Sequence, residues 1–151
     1  MDTAHDDDID ALNKLSGIVI GKAIRVHEEV GPGLFERTYL PCLVYELAES
    51  GIAVEVEKAL PLVYRGIRFD VAYRADLVVE GRLLVELKAL DALSSAHTAQ
   101  MLTYLRLSGC RLGLILNFGA RKMREGIRRI IIKDDSVSIV PICGDNPATS
   151  E

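Results

Sequence analysis

The run Tyr73-Arg74-Ala75-Asp76-Leu77-Val78-Val79-Glu80-Gly81-Arg82-Leu83-Leu84-Val85-Glu86-Leu87-Lys88 reads as a β-hairpin that carries Asp76 on its first strand and Glu86 and Lys88 on its second. Successive strand residues point to opposite faces. Leu83, Val85 and Leu87 therefore share one face, and Leu84, Glu86 and Lys88 share the other. On the first strand Asp76 lies with Val78, and Leu77 with Val79. With Gly81-Arg82 as the tight turn, Asp76 comes near Glu86 and Lys88. Two carboxylates and a lysine among leucines and valines suit a divalent-metal site built on a sheet.

Working outward, residues from about 10 to 30 form an amphipathic helix, because Leu12, Leu15, Val19, Ala23, Val26 and Val30 recur at helical spacing. Gly31-Pro32-Gly33 ends it. A second helix is predicted from about Leu34 to Ser50, with a kink expected at Pro41, which lacks a backbone donor. Glu36, Leu40, Leu43 and Leu47 share a stripe of that helix, so Glu36 is expected to begin its inward face. Short strands follow at about 53–58, 60–64, 67–72, 75–80 and 83–87. Ser94 or Ser95 caps a third helix running to about Leu107. The apolar run Leu112 to Asn117 predicts a central strand covered on both faces. A helical turn and strands at 127–133 and 136–142 complete an α/β or α+β fold around one mixed sheet flanked by helices.

The chain has 151 residues, is 49% hydrophobic and 26% charged, and suits a single globular domain over about 11–143. Residues 1–10 are expected as an acidic disordered tail and 144–151 as a flexible one. No apolar run approaches the roughly 20 residues of a membrane span, so no membrane partner is expected. Cys42, Cys110 and Cys143 are scattered and odd in number, which predicts a reduced, cytoplasmic setting without zinc.

The net charge of −4 does not mark a nucleic-acid binder. Between Met101 and Lys133, however, eight basic residues face the single acid Glu125. Such a sector either follows a phosphate backbone or solvates a helix face. His97, Gln100 and Tyr104 fall on one face of the third helix, where Gln100 and Tyr104 can reach phosphate, water or substrate. His27 is expected to be structural. There is no P-loop, dinucleotide glycine fingerprint, nucleophile elbow or His-Glu-x-x-His. Carboxylate ligands favour a hard ion, Mg²⁺ or Mn²⁺.

Asp76 followed by Glu86-Leu87-Lys88 resembles the D…(D/E)xK signature of the restriction-endonuclease-like, or PD-(D/E)XK, nuclease superfamily. Gln100-Met101-Leu102-Thr103-Tyr104 resembles the QxxxY helix motif of its helicase-associated exonuclease branch. Gly33-Leu34-Phe35-Glu36-Arg37-Thr38-Tyr39 is similar to the motif that names the bacterial GxxExxY family, as are His27 through Gly33 and Asn117-Phe118. Ala75 stands where the signature's name has proline.

The resemblance implies a restriction-endonuclease-like core and metal-dependent hydrolysis of DNA or RNA. Asp76, Glu86 and the Leu87 backbone carbonyl would hold Mg²⁺ or Mn²⁺. Glu36 would hold a second ion or a metal-bound water. Lys88 would orient the attacking water or stabilise the phosphate, and Gln100 and Tyr104 would position substrate or Lys88. A homodimer would help a small nuclease act on duplex. The alternatives are a catalytically silent nucleic-acid-binding or assembly module with the same fold, and a structural domain in which Asp76, Glu86 and Lys88 form a salt-bridged cluster.

Overall fold

A computed structural model describes residues 3–133 and 136–140 of the chain. Helices α1 (Thr3–Val30) and α2 (Glu36–Glu49) precede strands β1 (Val54–Tyr64), β2 (Ile67–Val79) and β3 (Leu83–Lys88). Helix α3 (Ser95–Ser108) leads to β4 (Leu112–Asn117), a 3-10 turn at Met123–Gly126, β5 (Ile127–Lys133) and β6 (Ser136–Val140). The six strands form one sheet in chain order. Only β3 and β4 pair in parallel, with α3 as the crossover, and every other neighbour is antiparallel. The result is the mixed α+β sheet expected from the sequence.

Two cores sandwich the sheet. On one face Leu77, Val79, Leu83, Val85 and Leu87 pack against α1 and α2. On the other Val78, Leu84 and Ile115 pack against Met101, Tyr104 and Leu105 of α3. Strand β4 is buried along its whole length, which explains its unbroken apolar sequence. No helix among the described residues is long and apolar enough to cross a membrane.

Several elements differ from expectation for identifiable reasons. Helix α1 begins at Thr3, so the segment expected as a disordered tail is helical from Thr3 onward. Asp8 anchors it, with its carboxylate paired to Arg82 and lying 3.6 Å from Arg111. Helix α2 runs through Pro41 without interruption, and its ring is solvent-exposed. The buried stripe of α2 is Tyr39, Leu43 and Leu47; it shares Leu43 and Leu47 with the predicted one, but Tyr39 takes its N-terminal end, Leu40 is half-buried and Glu36 is exposed. Four predicted short strands are two long ones, with an irregularity between Leu60 and Leu62 where Pro61 cannot donate to the ladder. The β2–β3 turn is centred on Glu80-Gly81, not Gly81-Arg82. Both central residues have positive φ, 53° and 67°, and the Arg82 N–H donates to the Val79 carbonyl at 3.0 Å. The expected tail at 144–151, the Asp134-Asp135 turn and the end of the last strand lie outside the described residues.

One departure positions the site. Face alternation breaks at Glu57 on β1 and at Asp76 on β2. Val54 packs on the α1–α2 side and Leu60 on the α3 side, although both are even-numbered. Likewise Leu77 faces α1–α2 while Ala75 faces α3. Glu57 takes a left-handed φ of 52°, an uncommon conformation for a residue with a side chain. Such breaks in the pleat re-aim side chains, as β-bulges do. Beyond this point β2 leaves β3, since their pairing covers only Leu77–Val79 with Leu83–Val85. The rest of β1 and β2 continues as a two-stranded arm.

Candidate active site

Asp76 and Glu86 meet where β2 and β3 part. Their ladder ends at Leu77 and Val85, and the next opposing residues are Asp76 and Glu86. Side chains replace the missing backbone pairing. The Asp76 N–H donates to Glu86 Oε1 at 2.8 Å, and the Leu87 N–H donates to Asp76 Oδ2 at 2.8 Å. Glu86 is buried and Asp76 half-buried.

The pair is electrostatically loaded. Burial, and then the Asp76 charge, push the Glu86 carboxyl up to about 8. Burial raises Asp76 too, against the opposing pull of the Leu87 N–H and the Lys88 ammonium. Two carboxylates in one desolvated place cannot both ionise cheaply, so without a cation the pair holds a proton near neutral pH. Glu36, at the first turn of α2, adds to the rise at Asp76 and so contributes its charge to the same locale.

Lys88 and α3 complete the arrangement. Ser94 starts α3, its N–H donating to His97 Nδ1 at 2.9 Å. One helical turn on, Gln100 Oε1 accepts from Lys88 Nζ at 3.0 Å, and Gln100 Nε2 donates to the Tyr104 hydroxyl at 3.1 Å. This chain fixes the Gln100 amide orientation and holds Lys88 along the helix. Desolvation and the charges of Glu86 and Asp76 raise the Tyr104 phenol, which places it beside the carboxylates. The structure thus brings together Asp76, Glu86, Lys88, Gln100 and Tyr104, with Glu36 at the margin. Leu87 contributes backbone only, because its side chain is buried on the α1–α2 side.

Sequence reasoning left other residues without roles. The Tyr39 hydroxyl donates to the Gly31 carbonyl at 2.6 Å and accepts from the Leu34 N–H at 3.2 Å. Its ring stacks on Phe118 with centroids 4.4 Å apart. His27, structural as expected, bonds the Ala120 carbonyl through Nε2 at 2.8 Å. Asn117 clasps Leu90 through both its N–H and its carbonyl and accepts from the Gly119 N–H. Together these contacts tie the turn before Glu36 to the strand end beside Lys88. Tyr73, also unassigned, packs its ring 5.6 Å from that of Tyr104.

The basic sector does not form one helix face. Arg111 reaches Asp8, Arg128 bonds the Ser94 carbonyl and the Thr98 hydroxyl, and buried Arg129 contacts Asn13. Exposed Arg121, Lys122 and Arg124 line a cleft of about 590 Å³ with His27, Gly31 and Pro32. That cleft is not lined by Asp76 or Glu86.

A protein-family model for the PD-(D/E)XK nuclease superfamily matches residues 13–130. The chain belongs to the PD-(D/E)XK nuclease superfamily. The match runs from within α1 to the middle of β5 and includes every candidate site residue above. No curated protein and no solved structure gives a significant match. Nucleases of this superfamily generally use divalent metal ions. The donor chemistry fits such an ion, since burial raises both of these close carboxylates despite the Lys88 ammonium nearby. Among the described residues no three acidic, histidine or cysteine side chains are already gathered as a cage.

Proposed function

We propose that the chain is a metal-dependent nuclease of the GxxExxY branch that hydrolyses phosphodiester bonds of DNA or RNA. The observation that carries this reading is the Asp76–Glu86 pair with Lys88 held beside it through Gln100. Asp76, Glu86 and the Leu87 carbonyl would hold Mg²⁺ or Mn²⁺, and Glu36 a second ion or a bound water. The ion supplies a lowered water pKa and neutralises charge on the phosphate. Lys88 has three donors. One is spent on Gln100, and the others remain to orient the attacking water or stabilise the phosphate oxygens. Gln100 and Tyr104 keep the ammonium in place.

A second reading, a nucleic-acid-binding module that turns nothing over, draws on the lack of a three-ligand cage among the described residues. Cleavage decides between them. Labelled single-stranded and duplex DNA and RNA are incubated with Mg²⁺, Mn²⁺ or chelator. The nuclease reading expects ion-dependent products that disappear with Asp76→Ala and Lys88→Ala. Salt-sensitive binding without cleavage of any substrate would favour the silent module.

A further inference from the structure

The arm formed by residues 58–74 carries two of the five tyrosines and one of the three phenylalanines, with four basic residues against one aspartate, on a chain of net charge −4. Past the Asp76 split it has no neighbour in the sheet except its own two strands. Cross-strand partners share a face. Leu60 opposite Tyr73 forms one face of the arm's inner part; beyond the register shift between Leu60 and Leu62, Leu62 opposite Phe69 and Tyr64 opposite Ile67 share one face of its outer part. The Tyr73–Tyr104 contact and the burial of Leu60 against α3 put the inner pair on the face of Lys88 and Gln100. Exposed aromatic rings thus follow one another along the arm, a track from Tyr73, packed on Tyr104, outward to Phe69 and Tyr64. Tyr64 is 60% exposed, Phe69 49% and Tyr73 42%.

We propose that this track binds the unpaired strand of a nucleic acid by stacking its bases, and so delivers single-stranded DNA or RNA to the Asp76–Glu86–Lys88 site. The inference rests on the nuclease reading for its destination but not for its binding surface. Every nucleobase has a π-face, so exposed aromatic rings grip single strands with little sequence preference. Bases paired and stacked inside a duplex cannot lie on the track. Charge on the arm agrees: Arg65 sits at the tip, and Arg68 and Arg74 have exposed carboxylate partners, Asp70 and Glu57, that phosphate can replace. Arg68 pairs with Val63, on the face opposite Phe69, where it would meet the backbone of a strand wrapping the arm's edge. Continuity with the catalytic face and this charge favour nucleic acid over a second copy of the chain.

The test measures anisotropy of a labelled 20-nucleotide deoxyribo- and a ribo-oligonucleotide in chelator, each single-stranded and as duplex. The full chain is compared with Phe69→Leu, Tyr64→Leu and their double variant. Leucine keeps the surface apolar and removes the ring, and both positions are exposed enough for the fold to persist, which circular dichroism checks. Each substitution is expected to weaken single-strand binding about tenfold, with duplex binding changed less than twofold. Equal loss on duplex, or no loss on the single strand, would overturn the proposal. So would light scattering that shows a dimer converted to monomer by Phe69→Leu with oligonucleotide affinity unchanged. If the wild-type chain cleaves nothing with Mg²⁺ or Mn²⁺ yet shows the predicted binding pattern, the nuclease reading fails and the track stands.

Discussion

Asp76 and Glu86 each accept the backbone hydrogen bond that opens where the other's strand departs. Asp76 N–H reaches Glu86 Oε1 and Leu87 N–H reaches Asp76 Oδ2, both at 2.8 Å. The exchange locks two like-charged groups together at the mouth of a sheet. Backbone donors that stabilise negative charge partly offset the cost of burying it. Fold and site are thereby coupled, because each carboxylate also closes the end of the β2–β3 ladder.

That coupling separates charge from scaffold. Asp76→Asn keeps an oxygen to accept from the Leu87 N–H and removes one charge from a crowded pair. The metal-free protein is expected to melt no lower than wild type, while cleavage falls by about 10²-fold or more, the scale on which charge-stabilising groups contribute to catalysis. Parallel melting and single-turnover assays check both halves.

Stability should depend on pH with a definite sign. The folded-state Glu86 carboxyl titrates near 8 against an ordinary value of 4.5, and Asp76 is raised as well. The fold therefore binds protons that the unfolded chain releases. This contribution is fully present below the ordinary carboxyl range and is lost as pH rises through about 8. Each unit of pKa is worth about 1.4 kcal/mol, so the metal-free protein loses a few kcal/mol between pH 5 and 9. Glu86→Gln should flatten the profile. Mn²⁺ should raise the melting temperature most at the alkaline end, where the pair is ionised.

In the proposed mechanism Gln100 and Tyr104 act through Lys88, to which they are hydrogen-bonded in series. Gln100→Ala and Tyr104→Phe are each expected to lower kcat by about tenfold, a positioning effect smaller than loss of a catalytic group. Because they belong to one hydrogen-bonded chain, the double variant should fall short of the product of the two losses. Multiplicative losses in a double-mutant cycle would show that they work separately.

Tyr39→Phe tests the support beneath Glu36. The substitution keeps the stacking on Phe118 and removes the hydroxyl that joins Gly31 to Leu34. Urea unfolding should show a loss of about 1–3 kcal/mol, at about 0.5–1.5 kcal/mol for each of the two hydrogen bonds lost, together with reduced cleavage as the start of α2 loosens.

The hairpin, the helix after Ser94 and the buried strand Leu112–Asn117 were legible in the sequence because burial and periodicity act locally on their residues. Asp76, Glu86 and Lys88 were legible as charges out of place between apolar neighbours, and Gln100 and Tyr104 as one helix face. The pleat break was not legible, since nothing in the sequence around Glu57 marks a left-handed residue. Simple alternation would put Tyr73 on the face of Leu77 and Val79, whereas the break turns it toward Tyr104. Glu36 was drawn inward because the apolar spacing of α2 fits two phases. Tyr39 decides the phase by burying its ring on Phe118 and its hydroxyl on a carbonyl 8 residues earlier. The basic sector looked continuous along the chain, whereas Arg111, Arg128 and Arg129 serve three different structural contacts.

We propose above all that the Asp76–Glu86 pair is a divalent-metal site. Crystals soaked in Mn²⁺ and measured near the manganese absorption edge test it most directly. A metal bound by the pair gives an anomalous peak within about 2.0–2.6 Å of oxygens from both Asp76 and Glu86, lost in Glu86→Gln. Manganese bound elsewhere on the protein, with no density between these two carboxylates, would contradict it.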